Sequence, residues 1–196
     1  MARPPRFDTD QILDAAVRLA ASAGPGGVTV SAVAQAIGAP SGSMYHRFSG
    51  RTALLAEVWL RTVERFQEGY FAALHSDADP RRAARAAARH VVAWSRAHPQ
   101  EAALLLHGPA EFGRGDWAEE HIRRADSGNE RVYAAIGGLA ASLGVTVTDA
   151  QGRDRVVLAL IDLPLSVVRR YVRAGAALPA HAEDLAEECA VSLLTS

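Results

Sequence analysis

Apolar side chains recur at helical spacing along nearly the whole chain, broken by glycine, proline and short polar clusters. Ile12, Ala15, Ala16, Leu19 and Ala23 share one face and predict a first helix, opened by Asp8 or Thr9 and stopped at the Gly/Pro run of "AGPGGV". Val30, Val33, Ala34 and Ile37 predict a second, very short helix with Thr29 as its cap and Gly38 as its stop. A third short helix is expected in "SGSMYHRFSGR", residues 41 to 51. A fourth starts after Ser49 and Gly50 and carries Leu54, Leu55, Val58, Thr62 and Phe66 on to about His75.

The polar stretch "SDADP" divides the chain, and Asp79 as cap with Pro80 in the first helical position restarts it. A fifth helix runs to His98 and Pro99, a shorter sixth covers about Glu101 to Phe112, and a long seventh about Trp117 to Ser142. An eighth is opened by Asp149 and its neighbours and reaches about Ala174, and a ninth runs from Pro179 to Leu194. The one β-branched cluster, "GVTVTDA", lies just before the eighth helix. The pattern predicts an all-α fold of about nine helices, with three short helices in front and longer ones behind. The expected organisation is an N-terminal domain over residues 1–55 and a helical domain over 56–196.

Composition narrows the function. The chain has 196 residues, is 49% hydrophobic and carries a formal net charge of −1, so affinity for a polyanion would have to come from local charge. Its basic residues are all arginine. Cys189 is the single cysteine, which excludes an intrachain disulfide. The start, Met-Ala-Arg-Pro-Pro-Arg, has no apolar signal core behind it, and the apolar run from Val156 to Val168 is cut by Asp162 and Pro164. A cytoplasmic protein with no membrane partner is expected. No metal or cofactor is expected either: His98, His107 and His121 are far apart, without an i, i+4 pair or a cysteine partner. "GPGG" at 24 and "GGLAASLG" at 137 lack a preceding strand, and no G-x-S-x-G elbow exists, so an enzyme is not expected.

The stretch 41–51 is the informative one. Two short helices joined at Gly38, the second behind a turn of small residues, form a helix-turn-helix pattern. Ser41, Gly42 and Ser43 would let the backbone approach base edges in a major groove. Met44 and Phe48, at i and i+4, point the other way and can anchor the helix. Tyr45, His46 and Arg47 are left on the open side as hydrogen-bond donors for phosphate oxygens. Between Asp14 and Glu57 there is no acidic residue, while Arg18, Arg47 and Arg51 are present. Arg51 also puts a cation in the first turn of a helix, against the macrodipole, an arrangement that an external phosphate would explain. A solvated turn that happens to carry an arginine is the plainer reading. A helical interaction scaffold is the rival for the whole chain, and it leaves the acid-free window unexplained.

Residues 9 to 55 resemble the DNA-binding domain of the TetR family of bacterial repressors. The family pattern "I..AA..L....G" followed by "T...IA...G...G.LY.HF..K..L" is met here by "ILDAAVRLAASAG" and "TVSAVAQAIGAPSGSMYHRFSGRTALL". The resemblance covers about a quarter of the chain. It implies base reading by Ser41, Gly42 and Ser43, phosphate binding by Thr29, Tyr45, His46 and Arg51, and an extended grip through Arg3 and Arg6. Three positions depart from the pattern. Pro40 stands where a Ser or Thr cap is usual, so Ser41 would have to replace that cap. Arg51 stands for Lys, and Thr52 for a common acid.

The resemblance further implies a C-terminal domain that dimerises and binds a small effector, in a ligand-responsive regulator, most often a repressor, acting as a homodimer on a pseudo-palindromic operator. The last two helices suit a dimer interface. Val156, Val157, Leu160, Leu163, Val167 and Val168 cover more than one face of the eighth, and Leu185, Cys189, Ser192 and Leu193 form a stripe on the ninth. Trp94, Leu105, Phe112, Trp117 and Tyr133 could wall a pocket for a mostly apolar ligand, though such side chains serve a plain core equally well. Asp162 sits in the most apolar helix, near the Leu160 carbonyl that Pro164 deprives of its helical partner. It could meet the ligand's polar end, cap the restarted helix, or pair internally.

Overall fold

The computed structural model describes residues 8–145 and 150–194, and within these residues all regular structure is helical. The helices are α1 (Thr9–Ala23), α2 (Val30–Ile37), α3 (Ser41–Tyr45), α4 (Arg51–Leu74), α5 (Pro80–Ala97), α6 (Pro99–His107) and α7 (Glu119–Ser142). Next comes α8, in which Ala150–Val157 and Leu163–Arg173 are continuous through a π turn at Leu158–Asp162, and then α9 (His181–Leu194). Short 3-10 turns lie at Pro25–Gly27 and Arg114–Asp116. Arg3 and Arg6, the Asp149 cap and most of the β-branched cluster lie outside the described residues.

The helix starts follow capping chemistry. Asp8 and Gln11 form a capping box, with Asp8 Oδ1 accepting from the Gln11 amide at 2.7 Å. Asp79 accepts from the Arg81 amide at 2.9 Å ahead of Pro80, and that bond holds its carboxyl below the usual range. Among the boundaries that differ from expectation, two have a visible cause. α6 stops at His107 rather than near Phe112, because Gly108 turns to a positive φ of 83° ahead of Pro109. α7 starts at Glu119 rather than Trp117. Trp117 is extended, and its indole N–H donates to the Phe112 carbonyl at 3.0 Å.

The chain packs as two units. One comprises Met1–Val63 with Ala103–Ala125, the other Glu64–Ala102 with Asp126–Ser196. In the first, Ile12, Ala16, Val33, Met44, Leu54 and Val58 are fully buried. Phe112 is buried with them, its ring centroid 5.2 Å from that of Trp59. Arg61 bridges to Asp14 at 2.7 Å, and Glu57 accepts from Arg124 and from His121.

In the second unit, α5 meets α9 through small and β-branched side chains, with Ala87, Val91, Ala186 and Ala190 buried. Glu183 is only 8% exposed and is held between Arg89, at 2.6 Å, and Arg96. Arg89 also donates to Glu187 and Asp184, and these bonds push its pKa above the ordinary arginine value. Two helix-interior glycines admit polar side chains. The His90 ring lies on Gly69 while His90 Nε2 contacts the Phe66 carbonyl at 3.2 Å, and the buried Gln67 amide lies on Gly128. At α8, Pro164 has no N–H for the Leu160 carbonyl. The buried Tyr70 hydroxyl donates to that carbonyl at 3.1 Å, and its burial raises the phenol pKa well above normal.

Candidate nucleic-acid interface

The face built by α2 and α3 follows from the turn between them. Gly38 adopts a left-handed conformation (φ 66°, ψ 29°) that a side chain would disfavour. Its N–H returns to the Gln35 carbonyl at 3.1 Å, and the Ala39 N–H to Ala34 at 2.9 Å, which closes α2 and turns the chain. Thr29 caps the other end of α2, its Oγ1 accepting from the Ala32 amide at 3.1 Å.

Pro40 fills the cap position of α3 and no side chain caps that helix, so Ser41 does not take over the role expected of it. The Ser43 hydroxyl instead donates back to the Pro40 carbonyl at 2.7 Å. Met44 and Phe48 are buried, and the Arg47 and Phe48 amides both bond to the Met44 carbonyl at 3.0 Å, fixing the turn behind α3. The opposite side is open. Ser41, Gly42 and His46 are exposed, Tyr45 is 59% exposed, and Ser43 and Arg47 are half-buried. A Cβ added at Gly42 would meet nothing within 4 Å, so the chain itself does not need a glycine there. Thr29 is exposed as well.

Arg51 has partners that the sequence did not reveal. Its Nε donates to the Val28 carbonyl and its Nη2 to the Pro25 carbonyl, each at 2.8 Å. Two carbonyl dipoles thus face the cation at the start of α4, and an external phosphate is not required to explain it.

The six residues expected to wall a ligand pocket are divided between the two units. Phe112 and Trp117 are core of the first unit, and Leu105 packs against that core. Trp94 belongs to an aromatic group in the second unit, edge-on to Phe66 at 5.3 Å and tilted on His98 at 4.9 Å. Tyr133 and Asp162 do share a surface, an open groove of about 740 Å³ whose apolar lining includes Ile136, Val156, Leu158 and Leu193. Asp162 is exposed there rather than enclosed by apolar groups, and it does not cap the helix. Among the described residues no cluster of metal ligands occurs, and no helix is long and apolar enough to cross a membrane.

Residues 12–58 match the family model described as "Bacterial regulatory proteins, tetR family". Solved structures match over nearly the whole chain. A bacterial regulatory protein of the tetR family from Rhodococcus RHA1 has a TM-score of 0.76 at 16% identity, covering 96% of this chain and 98% of that one. A TetR-like transcriptional regulator from Rhodococcus sp. RHA1 gives 0.74 at 21%, covering 100% of both. The transcriptional regulator FadR from Bacillus subtilis, solved in complex with stearoyl-CoA, gives 0.74 at 16%, covering 96% of this chain and 98% of that one. No curated protein matches the chain.

Proposed function

Because this chain carries the N-terminal domain of the tetR family of bacterial regulatory proteins, on the fold of that family's solved structures, we propose that it is a ligand-responsive repressor. It binds a pseudo-palindromic operator as a homodimer and is released by a small apolar effector. The observation that carries this reading is the open face of α3. It is acid-free in sequence, anchored from behind by Met44 and Phe48, and spacious at Gly42. Ser41, Gly42 and Ser43 meet base edges, and Thr29, Tyr45, His46 and Arg47 face phosphates, within a DNA-binding domain at residues 1–55.

Dimerisation runs through α8 and α9. Its support is the exposure of large apolar side chains on those helices, 40% at Leu158 and 45% at Leu185. Effector binding belongs to the domain formed by residues 56–196. Tyr133 and Asp162 on the shared groove supply an apolar wall and a polar end, and the similarity to a regulator solved with stearoyl-CoA supports an apolar, acyl-like class of ligand. To lower operator affinity tenfold, the effector must favour the non-binding form by about 1.4 kcal/mol.

The test is enrichment of duplexes from a random-sequence library, followed by fluorescence anisotropy on the enriched duplex with the parent and Gly42→Glu. The open space lets the variant fold, and its bulk and negative charge oppose the duplex. Near-complete loss of binding is expected. Binding as tight as the parent's would remove α3 as the reading element.

A further inference from the structure

We propose that Arg51 is a positioning residue: its guanidinium clamps the turn between α1 and α2 and so sets Thr29 and the start of α2 against the duplex. This rests on the DNA-binding reading above. Both acceptors of Arg51, the carbonyls of Pro25 and Val28, belong to one turn. The Pro25 carbonyl also accepts the Val28 amide at 3.2 Å, so Arg51 closes over a bond that the turn already makes. Val28 is fully buried, and its successor, Thr29, is exposed and caps α2.

The turn needs such a clamp because of its composition. Gly24, Gly26 and Gly27 surround Pro25, and glycine backbone holds no conformation by itself. Gly24 has a φ of 71°, and a Cβ at Gly27 would come within 2.7 Å of Ala23 Cβ, so the sequence cannot stiffen the turn by replacing these two glycines. A planar fork from α4 does so instead. Arginine presents Nε and Nη2 side by side to two carbonyls, whereas lysine brings a single ammonium on a flexible stem. The charge is common to both residues; the fork is not.

This difference sets the test. Arg51→Lys and Arg51→Ala are compared with the parent on two probes, the duplex enriched by the parent and a mixed-sequence duplex of equal length. Stoichiometric titration fixes the active fraction of each protein. Amide hydrogen exchange across residues 26–30 is followed in the free proteins. Arg51→Lys is expected to lose about tenfold or more on the enriched duplex. On the mixed-sequence duplex it should lose under about threefold, and its salt slope should stay near the parent's because the charge is kept. Exchange across the turn should quicken in both variants.

Several results would overturn the inference. Parent-like affinity of Arg51→Lys for the enriched duplex would leave Arg51 as a phosphate contact at most. Equal losses on both probes, matched by a lower active fraction, would make it merely structural. Unchanged exchange would deny the clamp itself. A parent that enriches no duplex would instead remove the DNA-binding reading, and the positioning role with it, leaving exchange to decide on the clamp alone.

Discussion

Removing the Tyr70 hydroxyl isolates one bond in the second unit. Tyr70→Phe keeps the ring and its stacking on Phe66, 5.6 Å between centroids, and deletes only the donor to the Leu160 carbonyl. Both residues are buried, so the carbonyl cannot turn to water. Loss of a donor to a buried acceptor costs about 1–3 kcal/mol. A value near 2 kcal/mol would lower the thermal midpoint of a chain this size by roughly 4–8 °C. Pro164 is the reason that the carbonyl is available, because any other residue at 164 would bring an N–H. In a Pro164→Ala background that N–H can take the carbonyl, and Tyr70→Phe should then cost under about 0.5 kcal/mol, giving a coupling above about 1 kcal/mol. Urea unfolding of the four proteins, followed by circular dichroism, completes the cycle. The reasoning fails if Tyr70→Phe is as stable as the parent, or if it costs the same in both backgrounds.

Two further outcomes are expected. Leu158→Arg with Leu185→Arg should shift sedimentation toward monomer while leaving the helical spectrum intact, and an unchanged dimer would move the interface elsewhere. Val168, expected on an interface face, is fully buried within the chain and is unsuitable for that test. Burial, together with the neighbouring His98, lowers the His90 pKa below 6.5, opposed by its contact with the Phe66 carbonyl. The folded state therefore resists a proton that the unfolded state accepts near 6.5. Stability should be full above that pH and fall as pH drops through the lower folded value. His90→Gln should flatten the thermal midpoint between pH 7 and 5, and an identical pH profile would exclude His90 as a source.

The fold of α1 to α3 was largely legible because its signals are local. Met44 and Phe48 declare a buried face by their i, i+4 spacing, Gly38 declares a turn, and the acid-free window needs only counting. Arg51 was half legible: its charge stood out, but its partners are backbone carbonyls 23 and 26 residues earlier, which no side-chain pattern marks. The pocket was the least legible part. Phe112 and Trp117 stand out by size, and size does not separate a cavity wall from a core. Pro164 correctly pointed to a freed carbonyl at Leu160. Only the fold could supply Tyr70, 90 residues away, as its partner.

Gly69 inside α4 and Gly128 inside α7 have a bearing on sequence drift. Alanine would suit either helix better by about 1 kcal/mol in propensity alone. At Gly69 the His90 imidazole occupies the space a methyl group would take, and at Gly128 the Gln67 amide oxygen lies 3.0 Å from it. Each glycine is therefore tied to the bulk of one distant partner. A methyl group gained at 69 or 128 is tolerated once position 90 or 67 has shortened, and is costly before. Among relatives, 69 should covary with 90 and 128 with 67, and the order of the substitutions should matter more than their number.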